Sequence, residues 1–180
     1  MLASTPGEEL FHGSHVTLRP AADEDLPRLA EILQEPEVAR HWGAYDIDRL
    51  RSELRDPDVY AFAVEVEGTV IGMIQFSEET DPDYRHASID IFLDPSRHGR
   101  GLGTDSVRTL ARYLFAERGH HRLTIDPAAD NTPAINCYRR VGFRTVGIMR
   151  NYERGPDGMW HDGLLMELLS EELNPGGDQA

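Results

Sequence analysis

The stretch HGRGLGTDSVRTLARYLF, residues 98–115, sets three glycines at alternate positions, Gly99, Gly101 and Gly103, directly before an amphipathic run. Val107, Leu110, Ala111, Leu114 and Phe115 recur at helical spacing, which predicts a helix from about Thr104 to Arg118 with Gly119 as its stop. Alternating glycines let successive backbone N–H groups face one concavity, because no Cβ stands in the way. The helix N-terminus that follows adds unpaired N–H groups and the positive end of a dipole. Together these make a cradle for a diphosphate; a plain strand-to-helix turn needs one glycine, not three.

Two common phosphate loops do not fit. A Walker A loop requires Gly-Lys-Ser/Thr, and no lysine follows any of these glycines. A dinucleotide fingerprint requires glycine or alanine at the sixth position, where the two frames place Thr104 and Ser106.

Outward from the loop, strand and helix patterns alternate. Residues 15–21 (HVTLRPA) read as a strand and 23–33 as a helix with Leu26, Leu29, Ala30 and Leu33 on one face. Two short helical pieces fall within 38–54. Residues 59–79 form a hairpin turning at Glu67-Gly68, and 86–95 form a strand ended by Pro95. Residues 122–128 read as a strand, and 131–142 as a helix with Thr132 as N-cap, Pro133 at its first position and Gly142 at its end. Two strands close the pattern, at 143–150 and 161–169. The expected fold is a single mixed α/β domain over residues 14–170, with 1–13 and 174–180 as flexible termini.

The loop resembles motif A of the GNAT superfamily of N-acetyltransferases, Gln/Arg-x-x-Gly-x-Gly/Ala, with His98 in place of the first residue. DNTPAINCYRRVGF (130–143) matches that family's motif B at Asn131, Ala134, Tyr138, Gly142 and Phe143. The resemblance covers nearly the whole chain. It implies a GNAT fold: a central sheet of about seven strands, splayed in the middle and flanked by about four helices. It further implies acetyl-CoA as acetyl donor. The pyrophosphate would rest on His98, Gly99, Arg100, Gly101, Leu102, Gly103 and Thr104. The pantetheine arm would run along residues 90–93, touching Phe92, Leu93, Asn131 and Tyr138, where that strand parts from 122–128.

A narrower likeness concerns the acceptor. EETDPDYRHASIDIFLDPSRHGRGLGT (78–104) and IDPAADNTPAINCYRRVGF (125–143) resemble the corresponding stretches of the aminoglycoside 6'-N-acetyltransferases. Trp42 in ARHWG and Asp157 in GPDG fall where those enzymes carry substrate-facing residues. The resemblance implies transfer to the 6'-amine of an aminoglycoside, hence antibiotic resistance. Ribosomal-protein N-terminal and polyamine acetylation stand as alternatives, and a non-catalytic acyl-CoA sensor as a remoter one.

An aminoglycoside carries several ammonium groups, so its site should combine carboxylates with flat faces for sugar rings. Candidates are Glu78, Glu79, Asp81, Asp90, Asp126 and Asp157, with Trp42, Tyr45 and Tyr84 as the flat faces. Each of these acids taken singly reads as well as a solvated surface charge. Asp90 and Asp126 differ, because both lie in strands with apolar neighbours, where a carboxylate needs a partner or a task. By resemblance and position, Asp90 is the expected base that takes a proton from the acceptor ammonium, directly or through water. Tyr138 would protonate the leaving thiolate, and a backbone N–H near Phe92 or Leu93 would meet the oxyanion. Cys137 has no adjacent histidine and is assigned no role.

Gross composition sets the frame. The 180 residues carry 32 acidic and 18 basic side chains, a formal net charge of −14, which disfavours nucleic acid and anionic membrane as partners. A solubilising surface and a polycationic substrate both account for that charge. Mean hydropathy is −0.48, without an apolar run long enough to span a bilayer. One cysteine and no visible secretory signal suit a cytoplasmic protein. No metal is expected, since His120, His121 and His161 lack ligand spacing. The oligomeric state, monomer or homodimer, is open.

Overall fold

The computed structural model describes residues 10–43 and 45–176. Eight strands form one sheet in the order β1-β2-β3-β4-β5-β6-β8-β7. They are β1 (Phe11–His12), β2 (Thr17–Pro20), β3 (Val59–Val66), β4 (Thr69–Glu79), β5 (His86–Leu93), β6 (Arg122–Ile125), β7 (Arg144–Arg154) and β8 (Trp160–Leu169). The helices are α1 (Leu26–Leu33), α2 (Pro36–Trp42), α3 (Ile47–Leu54), α4 (Leu102–Ala116) and α5 (Thr132–Val141). Neighbouring strands are antiparallel except β5 and β6, which run parallel. The count differs slightly from the about seven strands and four helices that the resemblance implies: β1 is the added strand, and the two short helical pieces expected within 38–54 are α2 and α3, which bring the helices to five.

The β3–β4 turn forms because Glu67 and Gly68 both adopt positive φ, 51° and 75°, which matches the twist of the flanking strands. Two layers cover the sheet. One face packs under α4 and α5 around Phe76, Ile89, Leu110, Leu114 and Met166. The other receives α1–α3 around Leu29, Leu33, Leu50, Met73 and Phe92. Burying each such side chain contributes roughly 1.5–3 kcal/mol before conformational entropy is subtracted.

Three local readings are corrected. The cap of α5 is Asn131, whose Oδ1 accepts from the Ala134 N–H at 3.3 Å; Thr132 is already the first helical residue. Helix α4 begins at Leu102 and its C-cap is Glu117, so Gly119 (φ 67°) turns the chain two residues later. Residues 11–13 and 174–176 are tied down, whereas 1–9 and 177–180, assigned with them as flexible, lie outside the described residues. Phe11 pairs with Leu18, and the Asp105 carboxylate accepts from the Ser14, His15 and Val16 N–H groups at 2.7–3.1 Å. The Asn174 N–H donates to the Val141 carbonyl at 2.9 Å. Gly142 (φ 123°) is the residue that permits this closure, since a Cβ there would stand 2.3 Å from the Glu172 carbonyl oxygen.

Candidate active site

The parallel pair β5–β6 holds through only two registers, Ala87↔Leu123 and Ser88↔Thr124. At that point Ser88 Oγ and Thr124 Oγ1 hydrogen-bond at 2.8 Å, and beyond it the strands part. From Asp90 to Leu93 the β5 backbone therefore keeps its bonds to β4 but has no ladder partner on the β6 side. Such a splay leaves unpaired N–H and C=O groups open to an extended ligand.

Alternation along the strands turns Ser88, Asp90 and Phe92 toward the α1–α3 face. There they join Gln75, Ser77, Thr124 and Asp126 as the floor of a cleft of about 1490 Å³. Helices α2 and α3 and the segment between them make one wall with Trp42, Tyr45 and Glu53; the β7–β8 hairpin makes the other with Tyr152, Glu153, Asp157 and His161. Trp42 is fixed edge-on to Phe92 at 4.8 Å and to Tyr45 at 5.8 Å between ring centroids.

Asp90 is open to the cleft yet stands at its depth, ringed by protein. Loss of hydration there, with the charges of Asp126 and Glu53 added, pushes its carboxyl up to about 6. Gln75 faces it directly across the β4–β5 ladder and opposes the shift by hydrogen bonding. The same Gln75 amide donates to Glu53 Oε1 at 2.9 Å, so one side chain positions two carboxylates. Asp126 is also shifted upward by burial, and the Tyr152 hydroxyl donates to it; that bond in turn pushes Tyr152 up to about 12. Burial and then Asp126 raise Glu153 as well. The cleft thus gathers carboxylates whose ionisation is costly until a cation arrives.

Tyr138 is buried on α5 and borders the cleft. Burial foremost, then the nearby Cys137 thiol and the Asp90 and Asp126 carboxylates, push its hydroxyl well above the ordinary tyrosine range. It stays protonated through neutral pH and is able to donate. Cys137 is likewise shifted up by burial, and its Sγ lies 3.3 Å from Thr104 Oγ1, which suits a packed thiol rather than a nucleophile.

The glycine loop lies at the start of α4. Gly99 and Gly101 adopt φ of 74° and 75°, with nothing within 4 Å of where a Cβ would sit. Their backbone faces open space at the head of a helix of 15 residues, as a diphosphate cradle requires. Gly103 is packed instead: a Cβ there would meet Cys137 Sγ at 3.3 Å. Leu102 and Thr104 are buried and Arg100 is exposed. His98 reaches back so that its Nε2 lies 3.2 Å from the Leu93 carbonyl, linking the loop to the splayed strand.

Of the expected acceptor residues, Trp42, Tyr45, Asp90, Asp126 and Asp157 line the cleft. Asp157 is already engaged, since both its oxygens lie within 3.0 Å of His161 Nε2, which lowers Asp157 and raises His161. Glu78 is a correction. It points to the opposite face of β4 and pairs with Arg118 at 2.5 Å and His120 at 2.6 Å. Glu79, Asp81 and Tyr84 fall beyond the cleft, in and beside the exposed β4–β5 turn, where Glu79 Oε1 accepts from the Asp81 N–H. The motif reading overlooked Glu53, Gln75, Tyr152 and Glu153. A signal for Gln75 was present: polar Gln75 and Ser77 alternate with apolar Ile74 and Phe76 at the end of the run that starts at Val70. Among the described residues, no group of three or more His, Cys, Asp or Glu is placed to hold a metal.

A family model described as an acetyltransferase (GNAT) domain matches residues 15–144. Aminoglycoside N(6')-acetyltransferase type 1 of Klebsiella pneumoniae is 32% identical over 164 residues, covering 79% of each chain. Spermidine N(1)-acetyltransferase of Escherichia coli K12 is 27% identical over 173 residues, covering 89% of this chain and 92% of the relative. Among solved structures, Mycobacterium smegmatis RimJ in complex with CoA-disulfide superposes with a TM-score of 0.77 at 26% identity, covering 93% and 88% of the two chains.

Proposed function

The chain belongs to the GNAT family of acetyltransferases, and on that premise we propose that it acetylates a primary amine of a polycationic small molecule, foremost the 6'-amine of an aminoglycoside. The observation that carries this reading is the gathering of Glu53, Asp90, Asp126 and Glu153 in one cleft beside Trp42 and Tyr45. Several ammonium groups would relieve the unfavourable ionisation of Asp90, Asp126 and Glu153, and the rings would offer faces to sugars. Spermidine is a second candidate, favoured by the same acids and by the spermidine N(1)-acetyltransferase likeness.

Acetyl-CoA supplies the activated thioester. The open backbone at Gly99 and Gly101 fits its pyrophosphate, and the unpaired β6-facing edge of residues 90–93 fits an extended arm. Asp90 holds the acceptor ammonium and takes its proton; its carboxyl at about 6 leaves it ionised at neutral pH yet basic enough for the transfer. An N–H of the β5 edge near Phe92 or Leu93 meets the oxyanion as the amine attacks. Tyr138, kept protonated by its surroundings, donates to the departing thiolate. The attack is direct, in a ternary complex, without an acyl-enzyme.

A thiol-release assay over kanamycin, spermidine and basic peptides tests the reading. Turnover of kanamycin or spermidine, lowered about 10²–10⁴-fold by Asp90→Asn and about 10²-fold by Tyr138→Phe, is the expected outcome. Turnover of peptides alone would remove the small-molecule acceptor.

A further inference from the structure

The cleft is lined by cations of its own, Arg40, Arg49, Arg122 and Arg154, and Arg40 reaches across to a carboxylate just ahead of α5. Arg40, on α2, sends Nη2 to Asp130 Oδ2 at 2.5 Å, joining two residues 90 positions apart. Asp130 directly precedes Asn131, the cap of α5, and both Arg40 and Asp130 line the cleft. The pair therefore ties the α2 wall to the α5 side, across the region where β5 and β6 part. Its side chains remain 67% and 60% exposed. An ion pair so exposed is weak and screened by salt, unlike the Arg118–Glu78 pair, whose side chains are 15% and 11% exposed.

We propose that Arg40 is a displaceable internal counter-cation, and that the Arg40–Asp130 pair determines which acceptors the cleft admits. While closed, the pair neutralises one carboxylate and holds a positive charge in the space an incoming ammonium would enter. A single amine gains little by breaking it. A molecule with several ammonium groups can place one on Asp130 while another reaches Asp90, and it then replaces Arg40 by exchange of like charges. The guanidinium swings into water at small cost, because it is already largely solvated. Such a competition makes polycations the favoured acceptors through charge exchange rather than shape.

This inference rests on the cleft being a polycation acceptor site, so wild-type turnover of kanamycin and spermidine is measured first. The variants Arg40→Gln and Asp130→Asn are then compared at low ionic strength. A bracing contact loses the same bond in both variants, so both would shift the acceptor KM in one direction. The exchange model predicts opposite signs: Arg40→Gln lowers the polycation KM about three- to tenfold, and Asp130→Asn raises it by a similar factor. Shifts of the same sign, or none, overturn the displaceable cation while leaving the acceptor class intact. Absence of wild-type turnover on both probes removes the acceptor reading and this inference with it.

Discussion

Asp90 shows how a carboxylate set among other carboxylates in a cleft taxes the fold. Its carboxyl is raised from 3.8 to about 6, so ionisation costs the folded state more than the unfolded chain. Its contribution to folding is therefore present below about pH 4 and lost as pH rises through about 6. Because the side chain is open to the cleft water, that cost amounts to roughly 1 kcal/mol. Asp90→Asn removes that cost. The expected result at pH 8 is an unliganded variant melting roughly 2–4 °C above wild type, with the advantage gone at pH 4. Melting curves at the two pH values check this. As the proposed base, Asp90 is expected to give kcat/KM an acid limb near pH 6, which Asp90→Asn should abolish along with most of the activity.

At the level of elements, alternation along β4 separates residues that sequence proximity suggests belong together. Glu78 and Glu79 are neighbours in the chain, but successive side chains of a strand face opposite sides of the sheet. Gln75 and Ser77 reach the cleft, while Glu78 anchors Arg118 at the end of α4 and the fully buried His120 at the entry to β6. Glu78→Gln breaks a largely buried ion pair, at a cost of about 3 kcal/mol or roughly 6–12 °C in melting temperature. The acceptor KM should stay at its wild-type value; a rise would return Glu78 to the substrate side. Helix α4 and its glycine loop were legible because periodicity and backbone freedom are local properties. The β3–β4 hairpin and the α5 segment were legible for the same reason. Glu53 was not, since only packing of α3 over the sheet brings it to Gln75. The anchoring of residues 14–16 by Asp105 was equally hidden, because a carboxylate 90 residues away supplies the bond partners.

Across the whole molecule, a net charge of −14 acts differently on the two substrates. The donor is a polyanion and the proposed acceptor a polycation, so one field would repel the first and draw in the second. Within the cleft, Glu53 from α3, Asp90 from β5, Asp126 just past β6 and Glu153 from β7 share one cavity, where partly buried charges are screened less by salt than exposed ones. A charge present only for solubility would act from the outer surface and fade with ionic strength for every amine alike. A charge concentrated around Asp90 must instead discriminate by the number of ammonium groups. Raising salt from 50 to 500 mM is therefore expected to lower kcat/KM for kanamycin by about tenfold and for a monoamine by less than threefold, while the KM for acetyl-CoA stays level or falls. Parallel slopes for the polycation and the monoamine would place the operative charge outside the cleft. Divergent slopes would assign it to the walls of the cleft over the parted strands β5 and β6, where the proposed reaction brings the acetyl group and the amine together.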